Sequence, residues 1–76
     1  MSVTVYQFRS LIGLFRIVLE ASKCELWFND ELRGTYISAS AAASNALTMI
    51  ASDFDSEALG GVDVPADISK WEIVTG

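Results

Sequence analysis

Histidine is absent from this chain, and cysteine and proline occur once each. Without histidine the chain lacks the commonest general base and metal ligand at neutral pH, so catalysis is poorly supported. The single Cys24 forms no internal disulfide, which favours a reducing, cytoplasmic compartment. We therefore expect a protein that is not an enzyme and uses no metal or cofactor.

Long uninterrupted apolar runs are also absent. The most apolar stretch, residues 3–19, is broken by Arg9 and Arg16, which fits neither a membrane span nor a secretory signal. The composition is 51% hydrophobic over 76 residues, enough for one packed domain, residues 1–76. We therefore expect core packing for this stretch and no membrane partner.

Acidic residues exceed basic ones by ten to five, and the excess is confined to the last third of the chain. Residues 1–52 carry four acids and four bases, whereas residues 53–76 carry six acids and one base, Lys70. Such a field repels nucleic acid and attracts basic protein surfaces, above all those that hold phosphates. The charge pattern predicts a protein partner and no direct binding of nucleic acid.

The N-terminal residues satisfy two periodicities. Apolar residues from Phe8 to Leu19 match a helix, while alternation from Phe15 to Ala21 matches a strand. We favour strands over 3–9 and 14–21, because β-branched and aromatic residues are frequent and Gly13 would weaken a helix.

Residues 24–28 and 32–37 predict a hairpin around Asn29, Asp30 and Glu31. A two-residue turn would place Trp27 opposite Leu32, and a three-residue loop would place Phe28 there. The longer loop gives the cleaner apolar face, and both registers stay open at this point.

Ser38 is a predicted N-cap for an alanine-rich helix that ends near Ser52. Its expected buried side is Ala39, Ala42, Ala43, Ala46, Leu47 and Ile50, and its polar stripe is Ser40, Ser44, Thr48 and Ser52. Residues 53–70, called the acidic loop below, contain Gly60, Gly61 and Pro65 and predict a loop with a turn of helix. Residues 71–74 predict a terminal strand. The expected fold is α+β: a small antiparallel sheet of three to five strands packed against one α-helix, built as a neutral body (1–52), the acidic loop and that strand.

Short chemical motifs in the chain favour structural roles. Cys24 lies in a predicted strand beside Glu25, without a cationic partner, and is expected to be a buried thiol. Asp53 and Asp55 lack the glycine and the spaced ligands of a calcium loop. Gly60 and Gly61 lack the lysine of a phosphate loop and are expected in turns.

The two tryptophans are expected to differ. Trp71 is predicted in the core, whereas the position of Trp27 is left open. In the longer-loop register Trp27 falls on the opposite face from Leu26 and Phe28, beside Arg33, which would form an exposed aromatic and arginine pair.

Residues Thr35 to Ser38 resemble the strand-to-helix junction of small three-strand-plus-helix DNA-binding domains, such as the arm-binding domains of phage integrases. The resemblance covers about residues 24–50. Those domains read DNA with a basic sheet, whereas the hairpin here holds more acids than bases. The charge therefore argues against DNA binding.

In size, acidity and expected architecture, the chain resembles the small phage-encoded anti-CRISPR proteins, particularly inhibitors of type I surveillance complexes. Several proteins of those families resemble DNA in charge and occupy basic surfaces where target DNA would bind. The resemblance implies a stoichiometric inhibitor, in the host cytoplasm, whose acids mimic phosphates. The expected partner-binding residues are Asp53, Asp55, Glu57, Asp63, Asp67, Asp30, Glu31 and Trp27.

Two other interpretations accompany this hypothesis. The acids would also serve simply to keep an apolar protein in solution. Alternatively, the chain is a small self-assembling protein that forms a homodimer through a sheet edge or the alanine-rich helix, with no inhibitory role.

Overall fold

The computed structural model describes residues 3–21 and 23–75, without the side chains of residues 56, 58 and 75. It contains a five-stranded antiparallel sheet with a long helix packed on one face, which confirms the expected α+β fold. The elements are β1 (Val3–Arg9), β2 (Leu14–Glu20), β3 (Lys23–Phe28), β4 (Glu31–Tyr36), α1 (Ala39–Ala51), α2 (Ser56–Leu59), a 3-10 turn (Ile68–Lys70) and β5 (Glu72–Thr75).

The strand order is β4-β3-β2-β1-β5. The first four strands form a meander, in which each strand pairs with the next along the chain. The chain then crosses the sheet through α1 and the acidic loop, and β5 pairs antiparallel with β1. The outer edges of the sheet are therefore β4 and β5.

Strands are confirmed for the N-terminal region, where helix and strand periodicities competed. Phe8 pairs with Phe15 and Phe15 pairs with Phe28, so one aromatic row crosses three strands on the side of α1. The Phe15 and Phe28 rings lie 4.9 Å apart, centroid to centroid. The strand pattern prevails because alternate residues of β2 and β3 are buried against α1.

Gly13 closes the turn between β1 and β2 with a φ of 153°, a conformation that side chains rarely adopt. A Cβ at this position would lie 2.6 Å from Nδ2 of Asn29. Asn29 occupies that space because its Oδ1 accepts a hydrogen bond from the Leu14 amide at 2.9 Å. The glycine thus allows the tip of the β3–β4 hairpin to pack against the first turn.

Each hairpin register is confirmed for one part of the β3–β4 pair. Asn29 and Asp30 have φ values of 49° and 68°, and form a two-residue turn that places Trp27 opposite Leu32. A register shift follows, and beyond it Leu26 lies opposite Gly34, as the longer loop predicted. The shift makes Arg33 an extra, bulged residue on the edge strand.

The helix α1 forms where it was predicted. The Ser38 side chain accepts a hydrogen bond from the Ala41 amide at 3.1 Å, and Ser52 is the C-cap. Ala42, Ala43, Ala46 and Ile50 are buried, and the predicted polar stripe is exposed. Ala39 and Leu47, also predicted on the buried side, are only partly buried against the core. Small side chains let the helix lie close to the sheet, so its alanine side is already used within the chain.

The end of the chain completes the core. Trp71 is 4% exposed, which confirms its predicted place, and its ring lies 5.8 Å from Phe8 and 6.2 Å from Phe15. Cys24 is fully buried beneath α1, as expected. The terminal strand β5 begins one residue later than predicted.

Candidate functional site

The acidic loop follows α1 and is attached to the core at several points. Phe54 packs edge to face on Phe28 at 6.0 Å, and Val64 and Ile68 contact the core cluster. The Trp71 indole Nε1 donates a hydrogen bond to the Pro65 carbonyl at 2.9 Å. These contacts order the loop on the side of the sheet that carries α1. The turn of helix predicted within the loop is present as α2.

Arg33 binds two of the eight predicted partner-binding residues. Its Nη2 lies 2.7 Å from Oδ2 of Asp53, and its Nη1 donates to Oε1 of Glu31. The hydrogen bond that Arg33 donates to Glu31, followed by the charge of Asp53, raises the pKa of Arg33. One cation thus offsets part of the charge of two acids, which the sequence alone did not indicate.

Two more of the predicted acids have intramolecular contacts. Asp30, in the turn between β3 and β4, binds Arg16 of β2, with 2.9 Å between Nη1 and Oδ1. Asp67 caps the 3-10 turn, accepting hydrogen bonds from the amide and the hydroxyl of Ser69 at 3.0 and 2.9 Å. These hydrogen bonds lower the pKa of Asp67, because they stabilise its ionised form. Both residues therefore have structural roles in addition to any role in binding.

Asp55, Glu57 and Asp63 are the other predicted acids of the loop, and all three are exposed. Asp63 lines an open pocket of about 460 Å³ between the loop and the turn after β1, together with Phe8, Arg9, Ser10, Leu11 and Gly61. Leu11 is 84% exposed at this site. Sequence analysis missed the pocket, because its two sides come from segments 50 residues apart in the chain that only the fold brings together.

Trp27 lies away from Asp55, Glu57 and Asp63, on the sheet face opposite α1. We call this face, which also carries Val5 and Val18, the helix-free face. The strand register places Arg16 and Leu32 beside Trp27, whereas the guanidinium of Arg33, the residue predicted beside it, binds carboxylates. The Trp27 ring is partly buried, and its Nε1 has no hydrogen-bond acceptor among the described residues. Trp27 and the acidic loop therefore belong to different surfaces.

Reactive chemistry is sparse in the described part of the chain. Burial raises the pKa of the Cys24 thiol, which opposes formation of a nucleophilic thiolate. Among residues 3–21 and 23–75 no three His, Cys, Asp or Glu side chains come together as a metal site. No helix within those residues is long and apolar enough to cross a membrane.

Comparisons with protein-family models, curated proteins and solved structures found no match. The candidate site therefore rests on this chain's own geometry: an anchored acidic loop with an apolar pocket at its margin.

Proposed function

We propose that this protein is a stoichiometric, anti-CRISPR-like inhibitor whose acidic loop occupies a basic, nucleic-acid-binding surface of a larger bacterial complex. A type I CRISPR surveillance complex is the proposed target. The observation that supports this most is the segregation of charge. The formal charge of −5 equals the excess of acids over bases in residues 53–76. The acidic loop packs on the side of the sheet that carries α1.

Anchoring of the loop supports binding as a preformed surface. Phe54, Val64 and the Trp71 hydrogen bond to Pro65 hold the loop before any partner arrives. A preformed loop loses less conformational entropy on binding than a disordered one. Its acids would speed association with a basic surface, while Leu11 and the adjacent pocket would supply apolar contact.

The test uses two exposed acids that have no structural role in the contacts described above. E57Q/D63N removes two charges from the acidic loop, and E20Q/E72Q removes two from the opposite, helix-free face. Binding of the purified chain to a purified type I surveillance complex is measured at low and high salt, with and without target DNA as competitor. We expect competition by DNA, loss of binding at high salt, and a several-fold weakening with E57Q/D63N only.

Absence of binding at low salt would contradict the type I target. Binding that target DNA leaves unchanged, or that both double variants weaken equally, would contradict charge mimicry by the acidic loop. Circular dichroism of each variant verifies that the fold is retained.

Self-assembly without an inhibitory role is the second candidate function. It is supported by the two outer strand edges, β4 and β5, and by the partly exposed apolar residues of the helix-free face. The helix α1 does not favour it, since its alanine side packs on the chain's own sheet. Sedimentation in high salt separates the two, because an association through apolar surface persists where charge attraction is screened.

A further inference from the structure

The helix-free face is a second surface of this protein with a composition unlike that of the acidic loop. Every described side chain on it keeps some exposure, whereas alternate residues of β2 and β3 on the other face are buried. Its apolar members are Val3, Val5, Leu14, Val18, Trp27, Leu32 and Val74. Val5 lies between Val18 and Val74 in the strand register, so these three valines form a continuous patch.

Formal charges nearly cancel on the helix-free face although the chain carries −5. The register places three bases and three acids there: Arg9, Arg16, Lys23, Glu20, Glu25 and Glu72. The carboxylate of Asp30, which binds Arg16, adds one negative charge at the margin of this face. Two acidic copies of this protein would repel each other through their acidic loops, but would meet with little net repulsion through this face. The charge distribution therefore fits a second copy better than it fits a strongly basic or acidic partner.

We propose that the helix-free face binds the same face of a second copy, forming a two-fold symmetric dimer with α1 and the acidic loop on the outside. Isologous contact of this kind is the commonest symmetry of soluble oligomers. Two facing sheets would lie about 10 Å apart, as in a β-sandwich. The inference rests on the second candidate function, self-assembly, and names its surface; it does not rest on the inhibitor function, since the acidic loops of both copies stay accessible.

A two-fold axis that lies between the two facing sheets, perpendicular to the strands, and passes between Val18 and Arg16 brings opposite charges together. Such an axis superposes Arg16 of one copy on Val18 of the other, next to Glu25, which neighbours Val18 in the register. Arg16 would then lie between Asp30 of its own copy and Glu25 of the other. It also superposes Arg9 on Val3, next to Glu20. Opposite charges thus meet twice in each half of the contact, around the valine patch.

The size of the face limits the strength of the dimer. Five strands, the longest of seven residues, cover about 500 Å² at the usual strand spacing and rise. Two copies would bury about 1,000 Å² in total, the lower end for a specific interface, so we expect a weak dimer. The sheet edges are poorer sites, because β4 is bulged at Arg33 and β5 has only four residues.

Sedimentation velocity of the full chain, from micromolar to near-millimolar concentration and in high salt, tests the proposal. We expect a concentration-dependent dimer that V18K abolishes and L11K leaves intact. Leu11 is the matched control, since it is an exposed apolar residue outside the helix-free face. At low salt, where charge pairs are not screened, R9E and E20R should each weaken the dimer, and R9E/E20R should restore it.

A second measurement on the unmodified chain guards against variants that fail to fold. On dilution, the methyl signals of Val5, Val18 and Val74 should shift in NMR spectra, while those of Ala42 and Ala46 should not. A chain that stays monomeric throughout would overturn the proposal, and so would a dimer that V18K leaves intact. High salt also separates the two proposals: it abolishes binding through the acidic loop, whereas the dimer loses its charge pairs but keeps the apolar contact of the valine patch.

Discussion

Arg33 and Asp53 join the bulge of the edge strand β4 to the residue after the C-cap of α1, with 2.7 Å between Nη2 and Oδ2. The side chains are 21% and 45% exposed, so the pair is partly screened by solvent. The ion pair fixes the start of the acidic loop against the sheet.

We expect this ion pair to stabilise the fold modestly. A double-mutant cycle with R33M and D53N in urea unfolding should give a small favourable coupling energy, because partly exposed pairs contribute little. The Arg16–Asp30 pair is the control, since its side chains are 41% and 82% exposed and its coupling should be smaller. Equal coupling in the two cycles would show that Arg33 does not hold the loop.

Replacement of Gly13 by alanine should be among the most damaging single changes. The alanine would be strained at a φ of 153°, and its Cβ would lie 2.8 Å from Cζ of Phe28. We expect a loss of about 2–4 kcal/mol in the free energy of unfolding. G61A is the control, because a Cβ there meets Leu11 at 3.5 Å, an ordinary contact. A G13A protein as stable as G61A would contradict this account of the first turn.

The N-cap of α1 should contribute measurably to stability. S38A removes the acceptor for the Ala41 amide and should cost about 1 kcal/mol in chemical unfolding. S44A makes the same chemical change inside the helix, where the Ser44 hydroxyl donates to the Ala41 carbonyl. There alanine has the higher helix propensity, so S44A should be neutral or slightly stabilising. Similar losses in both variants would argue against a specific cap.

Acid should weaken the contribution of Asp67. Its pKa is lowered in the folded state, so its stabilising effect is present above the unfolded pKa of about 3.9 and is lost as pH falls through the folded value. In thermal unfolding, the difference between the wild type and D67A should be largest near neutral pH and should shrink in acid below the unfolded pKa. D67N keeps a side-chain oxygen for the cap but carries no charge, so its difference from the wild type should shrink in acid in the same way. A difference in thermal stability between the wild type and D67A that stays constant with pH would mean that the charge of Asp67 does not stabilise the fold.

The sequence predicted the elements whose signals are local. The Ser38 cap and the alanine spacing determine α1, and the β-branched and aromatic residues determine the strands, including the N-terminal pair where a helical period competed. Burial of Trp71 and Cys24 followed from the same patterns. The clustering of acids after residue 52 is also a property of the sequence, whatever the fold does with it.

Other features were decided by tertiary structure, because they join residues far apart in the chain. The β3–β4 hairpin follows one candidate register on each side of the bulge at Arg33. The two-residue turn determines the pairing of Trp27 with Leu32. Burial of Leu26 and Cys24 against α1 determines the pairing beyond the bulge. That bulge residue lies where its guanidinium reaches Asp53, and Trp27 faces away from the acidic loop. The sequence by itself determined which segments form helix and strand and where the charge lies; packing decided which acids are paired, and which face stays open.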